Sequence, residues 1–173
     1  MTSDPSTIDY HEARLLILLG AFGKGISSLT KLAKLDFLLR YPTMLEQLLK
    51  QDGIPLPDAL VPRAIERFSV ESPMIRYKYG PWDDQYYAIL GSLISKALID
   101  TKSSGRNVQF KLSDRGREIA ESFSSEPAWS TIAARAGILH RHYDKTGNAL
   151  KDRIYAEFPE VMDRPHRSRI GIR

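Results

Sequence analysis

The stretch from residue 72 to residue 87 constrains the fold more than any other part of the chain; it reads Ser-Pro-Met-Ile-Arg-Tyr-Lys-Tyr-Gly-Pro-Trp-Asp-Asp-Gln-Tyr-Tyr. Apolar or aromatic side chains alternate with basic ones from Met74 to Tyr79, which predicts a β-strand with one buried face. The Gly-Pro pair at 80 and 81 ends the strand, because proline cannot donate a ladder hydrogen bond. Two aspartates suited to a helix N-terminus follow, and apolar spacing predicts a helix from Asp83 to Ala97.

The composition describes one ordinary globular domain, or a small domain with a helical extension. Of 173 residues, 42% are hydrophobic and 27% are charged, and cysteine is absent, which excludes disulfides and thiolate metal sites. The longest apolar run, Leu15 to Ala21, is far too short to span a membrane, and the residues before it make a poor signal peptide. We therefore expect a cytoplasmic protein with no membrane partner.

Helical periodicity dominates the first third of the chain. It predicts helices over Ile8 to Phe22, Leu29 to Tyr41 and Thr43 to Gln51, with Ser6 and Asp9 resembling a capping box for the first. The first helix is apolar around most of its circumference, so we expect it to be the central buried helix.

A β-hairpin and a capped helix follow the helix predicted from Asp83. The hairpin arms are Leu98 to Thr101 and Asn107 to Leu112, and Ser113 caps the next helix. This order of helix, hairpin and helix is typical of a winged-helix domain. The predicted fold class is mainly α with a small β-hairpin or sheet (α+β), a winged-helix-like core followed by a C-terminal helical hairpin.

Three regions are predicted. Residues 1–125 form the winged-helix-like domain, with a proline-rich crossing at 52–70; residues 126–160 form a helical extension packed on it; residues 161–173 form a basic tail. In the extension, Leu150, Ile154 and Phe158 form one stripe on a helix predicted from Ala149 to Phe158. Such a stripe is usually core, but on a terminal helical hairpin it is equally suited to docking another subunit.

One carboxylate interrupts an apolar helix face. Asp36 lies four residues after Leu32 and three before Leu39, where an unpaired charge would be costly. Arg40, at i+4, is the predicted structural ion-pair partner, and Arg76 or Lys78 of the central strand could also reach it.

No reactive constellation is found, so we predict no catalytic residue, metal ligand or cofactor, and no enzymatic activity. Gly20 to Gly25 fails the spacing of a phosphate-binding loop, and His140 and His142 point apart on a helix. A nuclease site built from Asp83, Asp84 and Asp100 is the weaker interpretation, because helix capping already explains the two adjacent aspartates.

Recognition is the remaining function, and candidate contact residues fall into two groups. Aromatic and basic side chains at the central corner, together with the terminal stripe, are the candidate partner interface: Arg76, Lys78, Trp82, Leu150, Ile154 and Phe158. Basic residues of the hairpin tip and tail are the candidate nucleic-acid contacts: Lys102, Arg106, Arg164, Arg167 and Arg169. The net charge of +4 permits such contacts without requiring them.

Three segments are distinctive together. They are residues 34–42 (Lys-Leu-Asp-Phe-Leu-Leu-Arg-Tyr-Pro), 71–83 (Glu-Ser-Pro-Met-Ile-Arg-Tyr-Lys-Tyr-Gly-Pro-Trp-Asp) and 154–160 (Ile-Tyr-Ala-Glu-Phe-Pro-Glu). In this order and spacing the chain resembles the middle-component subunit of bacterial ABC-three-component systems, which include Lamassu-type anti-phage defence. The resemblance implies a non-catalytic subunit encoded between a DNA-sensing, SMC-like ABC ATPase and an effector, often a nuclease. It further implies that the subunit holds these partners together until foreign DNA is detected.

Two hypotheses therefore stand. The first is an accessory subunit that bridges the ATPase and the effector, with DNA contact arising through the complex. The second is a freestanding winged-helix DNA-binding regulator or antitoxin-like protein. Against DNA reading, the helix from Asp83 to Ala97 begins with two acids and carries Lys96 as its only basic residue.

Overall fold

The computed structural model describes residues 8–68, 74–77, 80–162, 165 and 167–170. The helices of this part are α1 (Tyr10–Ala21), α2 (Leu29–Arg40), α3 (Pro42–Gln51), α4 (Ala64–Phe68), α5 (Tyr86–Ser95), α6 (Asp114–Ser124), α7 (Ser130–Tyr143), α8 (Gly147–Glu157) and α9 (Pro159–Met162). The strands are β1 (Ile26–Ser27), β2 (Ile75–Tyr77), β3 (Gly80–Trp82), β4 (Ile99–Ser104) and β5 (Asn107–Leu112). A mainly helical α+β fold is confirmed, whereas the winged-helix assignment stays a prediction.

The central helix α1 begins where a reciprocal cap fixes it. Asp9 Oδ1 accepts a hydrogen bond from the Glu12 N–H at 2.9 Å, and Glu12 Oε2 accepts one from the Asp9 N–H at 3.1 Å. The predicted box joined Ser6 to Asp9, and Ser6 lies outside the described residues. The residues from Leu15 to Leu19 are each at most 2% exposed, so α1 is the buried helix that its apolar run predicts.

An antiparallel sheet with strand order β1-β5-β4 packs against α1 and α2. Ile26 of β1 pairs with Phe110, and Ile99 of β4 pairs with Leu112, which places buried apolar side chains on one face. The predicted hairpin is confirmed. Ser113 caps α6 as predicted, and its Oγ accepts a hydrogen bond from the Gly116 N–H at 3.0 Å.

The corner around Pro81 is built differently from the prediction. Gly80 and Pro81 do not end a strand; they lie in β3, which pairs antiparallel with β2 so that Pro81 is opposite Arg76. Proline is tolerated in β3 because both strands of a two-stranded sheet are edge strands, where a residue without an N–H need not interrupt the ladder of hydrogen bonds. The Asp83 carboxylate accepts from the Gln85 N–H at 2.8 Å and caps a turn, so α5 starts at Tyr86, three residues later than predicted.

The C-terminal helices share the core of the first region. α7 packs on α1 and α8 packs on α2, and apolar residues on both sides of the predicted boundary at 125 belong to one cluster. Thr146 caps α8 by accepting from the Ala149 N–H at 3.2 Å. Pro159 begins α9 directly after Phe158. Across the described ranges, no helix combines the length and apolarity that a bilayer crossing requires.

Candidate functional site

A buried polar cluster surrounds Asp36, which is completely buried on α2. Asp36 Oδ1 accepts from Arg14 Nε at 2.7 Å, and Oδ2 accepts from Arg40 Nε at 2.9 Å and from the Tyr86 hydroxyl at 2.7 Å. Arg40 also lies 2.7 Å from Asp83. The predicted pair of Asp36 and Arg40 is therefore present, but it belongs to a larger network whose second cation is Arg14.

Electrostatics keep this network in one protonation state. Burial alone raises the pKa of Asp36, but the guanidiniums of Arg14 and Arg40 and the hydrogen bonds outweigh burial and hold that pKa well below its usual range. Burial, reinforced by the neighbouring Asp36 carboxylate, raises the pKa of Tyr86 well above its ordinary value. Tyr86 therefore remains a hydrogen-bond donor and Asp36 an acceptor near neutral pH, as a structural connection requires.

A second buried charge joins α2 to the corner. Lys34 has no exposed surface, and its Nζ donates to the Pro81 carbonyl at 3.1 Å. Burial, with a smaller contribution from Lys151, lowers the pKa of Lys34 to about 7. Because the amine is enclosed on all sides, we assign it to connecting α2 and β3 and not to ligand contact.

The three segments that carry the family resemblance meet in space. α2, which holds most of residues 34–42, contacts both β3 and α8. The Tyr41 hydroxyl donates to the Ile170 carbonyl at 2.7 Å and accepts from the Met74 N–H at 3.0 Å. Together with the bond from Lys34 to Pro81, these contacts give the distinctive residues a role in the fold.

The terminal stripe predicted as a partner interface is core. Leu150 is 1% exposed, and Ile154 and Phe158 are fully buried. α8 packs against α2. The prediction failed because helical spacing shows that a face is apolar but does not determine whether the surface that covers it belongs to the same chain or to another. The prediction that these three residues form a free docking surface is wrong.

At the central corner, the exposed aromatic side chain is that of Tyr87 and not that of Trp82, the one predicted for the partner interface. Trp82 is half-buried, with its ring 5.3 Å from that of Tyr86, whereas Tyr87 is 72% exposed. Ile94, two helical turns after Tyr87, is 44% exposed, and Gly91 between them is also exposed. We call Tyr87, Ala88, Gly91, Ile94 and Ser95 the α5 surface. The side chain of Arg76 and all of Lys78, predicted beside Trp82, lie outside the described residues.

The α5 surface carries no charge, and the charges predicted around it are engaged elsewhere. Asp83 binds Arg40, and Lys96 Nζ binds the Glu12 carboxylate at 2.8 Å. Sequence reasoning missed this surface, although its signal was present in the two large apolar residues spaced seven apart on the predicted helix.

The hairpin tip is exposed, as a nucleic-acid contact requires. Lys102 and Arg106 are both exposed. Lys111 lies on the same outward face, where it pairs in register with Asp100. The structure thus places the two predicted hairpin residues together with a third basic residue, Lys111, and one carboxylate partly offsets their charge.

The described residues of the basic tail include two that contact the rest of the fold. Ile170 is 1% exposed, and its N–H donates to the Met74 carbonyl at 2.8 Å. Arg167 pairs with Asp84 at 2.6 Å, and Arg169 is exposed. Arg164 lies outside the described residues.

In the part of the chain that the structure describes, no group of three or more histidines or carboxylates is arranged to hold a metal ion. Comparison with protein families, with curated proteins and with solved structures finds no match to this chain.

Proposed function

We propose that the chain is a non-catalytic accessory subunit of a bacterial anti-phage defence complex. In this proposal it holds an SMC-like ABC ATPase and an effector, a nuclease in many such systems, in one assembly. The α5 surface is the observation that carries the proposal. The family resemblance of the three segments implies that the chain has partner subunits, and we assign the α5 surface as the place where one of them docks.

The chemistry of the α5 surface favours a protein partner. In a winged-helix arrangement α5, which precedes the hairpin, would be the helix that enters the DNA major groove. Affinity for the phosphate backbone comes mainly from Lys and Arg, yet none of the residues on the exposed face of α5 is charged: Tyr87, Ala88, Gly91, Ile94 and Ser95. Exposed tyrosine and isoleucine around a glycine are instead typical of the desolvated centre of a protein interface.

Co-expression with the neighbouring ATPase and effector genes tests the proposal. We expect the wild-type chain to co-purify with both subunits, and the double variant Tyr87→Ser with Ile94→Ser to lose at least one of them while keeping its melting temperature. Tyr87 is 72% exposed and Ile94 is 44% exposed, and neither belongs to the buried core, so these changes leave the core residues in place.

Val108→Ser is the matched control, because Val108 is an exposed apolar residue, 39% accessible, on the hairpin. Full assembly by a folded double variant would exclude the α5 surface as the docking site. Failure of the wild-type chain to co-purify with either subunit would overturn the proposed function itself.

The exposed cations of the hairpin favour one second candidate, a freestanding DNA-binding regulator. If this candidate is correct, the isolated protein retains duplex DNA at low salt, and Lys102→Glu with Arg106→Glu weakens the retention and reduces its salt dependence. Lys50→Glu, an exposed lysine on α3, is the control for net charge. No retention by the wild-type chain would exclude this candidate.

A further inference from the structure

A cleft of about 620 Å³ lies between the start of α1, α4 and the start of α7. Its volume falls in the range of about 300 to 1,000 Å³ typical of ligand sites. None of the residues of the α5 surface lines this cleft, so it is a separate feature of the molecule.

One part of the cleft is apolar and aromatic. The rings of Tyr10 and Trp129 lie 5.1 Å apart at an interplanar angle of 34°, which leaves no room for a base or ring between them. Ile65, which is 63% exposed, and Ile132 also line the cleft. Large apolar side chains exposed around a concavity favour a ligand with an apolar group of its own.

The inner wall is a fixed guanidinium. Arg14 is 2% exposed and lines the cleft. Its contacts with Asp36 and one with His11 Nδ1 at 3.0 Å use three of its five N–H groups. Because Asp36 holds the guanidinium in place, this positively charged part of the wall is fixed before a ligand arrives.

The charge of the cleft is close to one positive unit. Arg14 and Arg40 are balanced by Asp36 and Asp83, to which they are bonded. On the α4 side, Arg135 is balanced by Glu66 at 2.8 Å.

Arg63 is the cation in excess, because its nearest carboxylate is the same Glu66, 3.6 Å away and already bonded to Arg135. The Arg63 side chain is 77% exposed at the rim. One excess positive charge complements one carboxylate better than a doubly charged phosphate.

We propose that this cleft binds a peptide segment of a partner protein that carries one carboxylate beside a large apolar side chain. The carboxylate lies against Arg63 at the rim of the cleft, whose wall also includes the Arg14 guanidinium, and the apolar side chain packs on Tyr10, Trp129 and Ile65. The inference does not depend on the proposed function, since it concerns residues outside the α5 surface.

Pools of capped hexapeptides test the proposal with the full-length chain. One pool has a fixed Asp next to a fixed Trp among random neighbours, and three control pools replace Asp by Asn, Trp by Ser, or Asp by phosphoserine. Retention of the Asp-Trp pool about tenfold above the Asn and Ser pools is expected, since a charge-assisted bidentate contact and the buried ring each contribute about this much.

Two variants connect the binding to the cleft. Arg63→Gln removes the preference for Asp over Asn, and Ile65→Ser weakens the preference for Trp over Ser, each without changing the melting temperature, since both side chains are mostly exposed. Arg106→Gln on the hairpin leaves both preferences intact. Equal retention of all pools, tighter binding of the phosphoserine pool, or preferences unchanged by Arg63→Gln would each overturn the proposal.

Discussion

The Asp36 carboxylate, in the middle of α2, accepts a hydrogen bond of 2.7 Å from the hydroxyl of Tyr86, the first residue of α5. The bond joins the buried helical core to the element that presents the α5 surface. Arg14 and Arg40 complete the same cluster, so three helices are connected through one charge. The orientation of α5 is therefore coupled to the integrity of this buried network.

Replacing the central carboxylate should destabilise the whole fold. Asp36→Asn leaves the guanidiniums of Arg14 and Arg40 without their shared counter-ion, and breaking a buried ion pair in this way costs about 3 to 5 kcal/mol. Urea unfolding measures the loss. Asp100→Asn, on the exposed face of the hairpin, is the control and should change the free energy of unfolding by less than about 0.5 kcal/mol. A loss below about 1 kcal/mol for Asp36→Asn would contradict the role assigned to the network.

Acid should weaken the fold through the same residue. The two guanidiniums hold the pKa of Asp36 below its value in the unfolded chain, which is about 3.9. Asp36 therefore contributes stability that is fully present above about pH 5 and is lost as the pH falls towards the folded-state pKa. We expect the difference in unfolding free energy between the wild type and Asp36→Asn to shrink from pH 5 to pH 2.5. A constant difference over this range would mean that Asp36 does not titrate as proposed.

Lys34 should give a pH dependence of the same sign as Asp36 in a more alkaline range. Its pKa is lowered by burial from 10.5 to about 7, so between these values the unfolded chain binds one more proton than the folded chain. Stability then rises with pH, by about 2 kcal/mol from pH 7 to pH 9 for this one group. Lys34→Met removes the rise and should be at least as stable as the wild type at pH 6, because no charge is then buried.

Thermal unfolding of both proteins at pH 6, 7, 8 and 9 measures this effect as a difference, which cancels the other titrating groups. Lys50→Met, at an exposed lysine, should keep the wild-type slope. Parallel pH profiles for the wild type and Lys34→Met would show that the amine stays charged in the folded chain and would contradict the lowered pKa of Lys34.

The corrected assignment of the α8 stripe leads to a test of stability. Ile154 is fully buried against α2, so Ile154→Ala should cost about 2 to 5 kcal/mol of unfolding free energy through lost burial and the cavity left behind. Asn148→Ala, on the exposed side of the same helix, should change it by less than about 0.5 kcal/mol. If Ile154→Ala unfolded like the wild type and lost only partner binding, the stripe would be an interface after all.

Local features of the chain were predictable from the sequence because they depend on neighbours within a few residues. The caps at Ser113 and Thr146, the hairpin and the pairing of Asp36 with Arg40 all depend on spacings of three or four residues or on the alternation of a strand. The position of Glu12, three residues after Asp9, likewise accounts for the start of α1.

Only the tertiary structure decided which surfaces remain open. Arg14 reaches Asp36 across 22 residues of sequence, and no periodicity indicates that contact. The stripe of α8 and the outer face of α5 have similar apolar spacing, yet the first is covered by α2 and the second is exposed. Periodicity shows that a helix has an apolar face, whereas long-range packing decides which element, if any, covers that face. A residue on a covered face belongs to the core, and a residue on an uncovered face is available for docking.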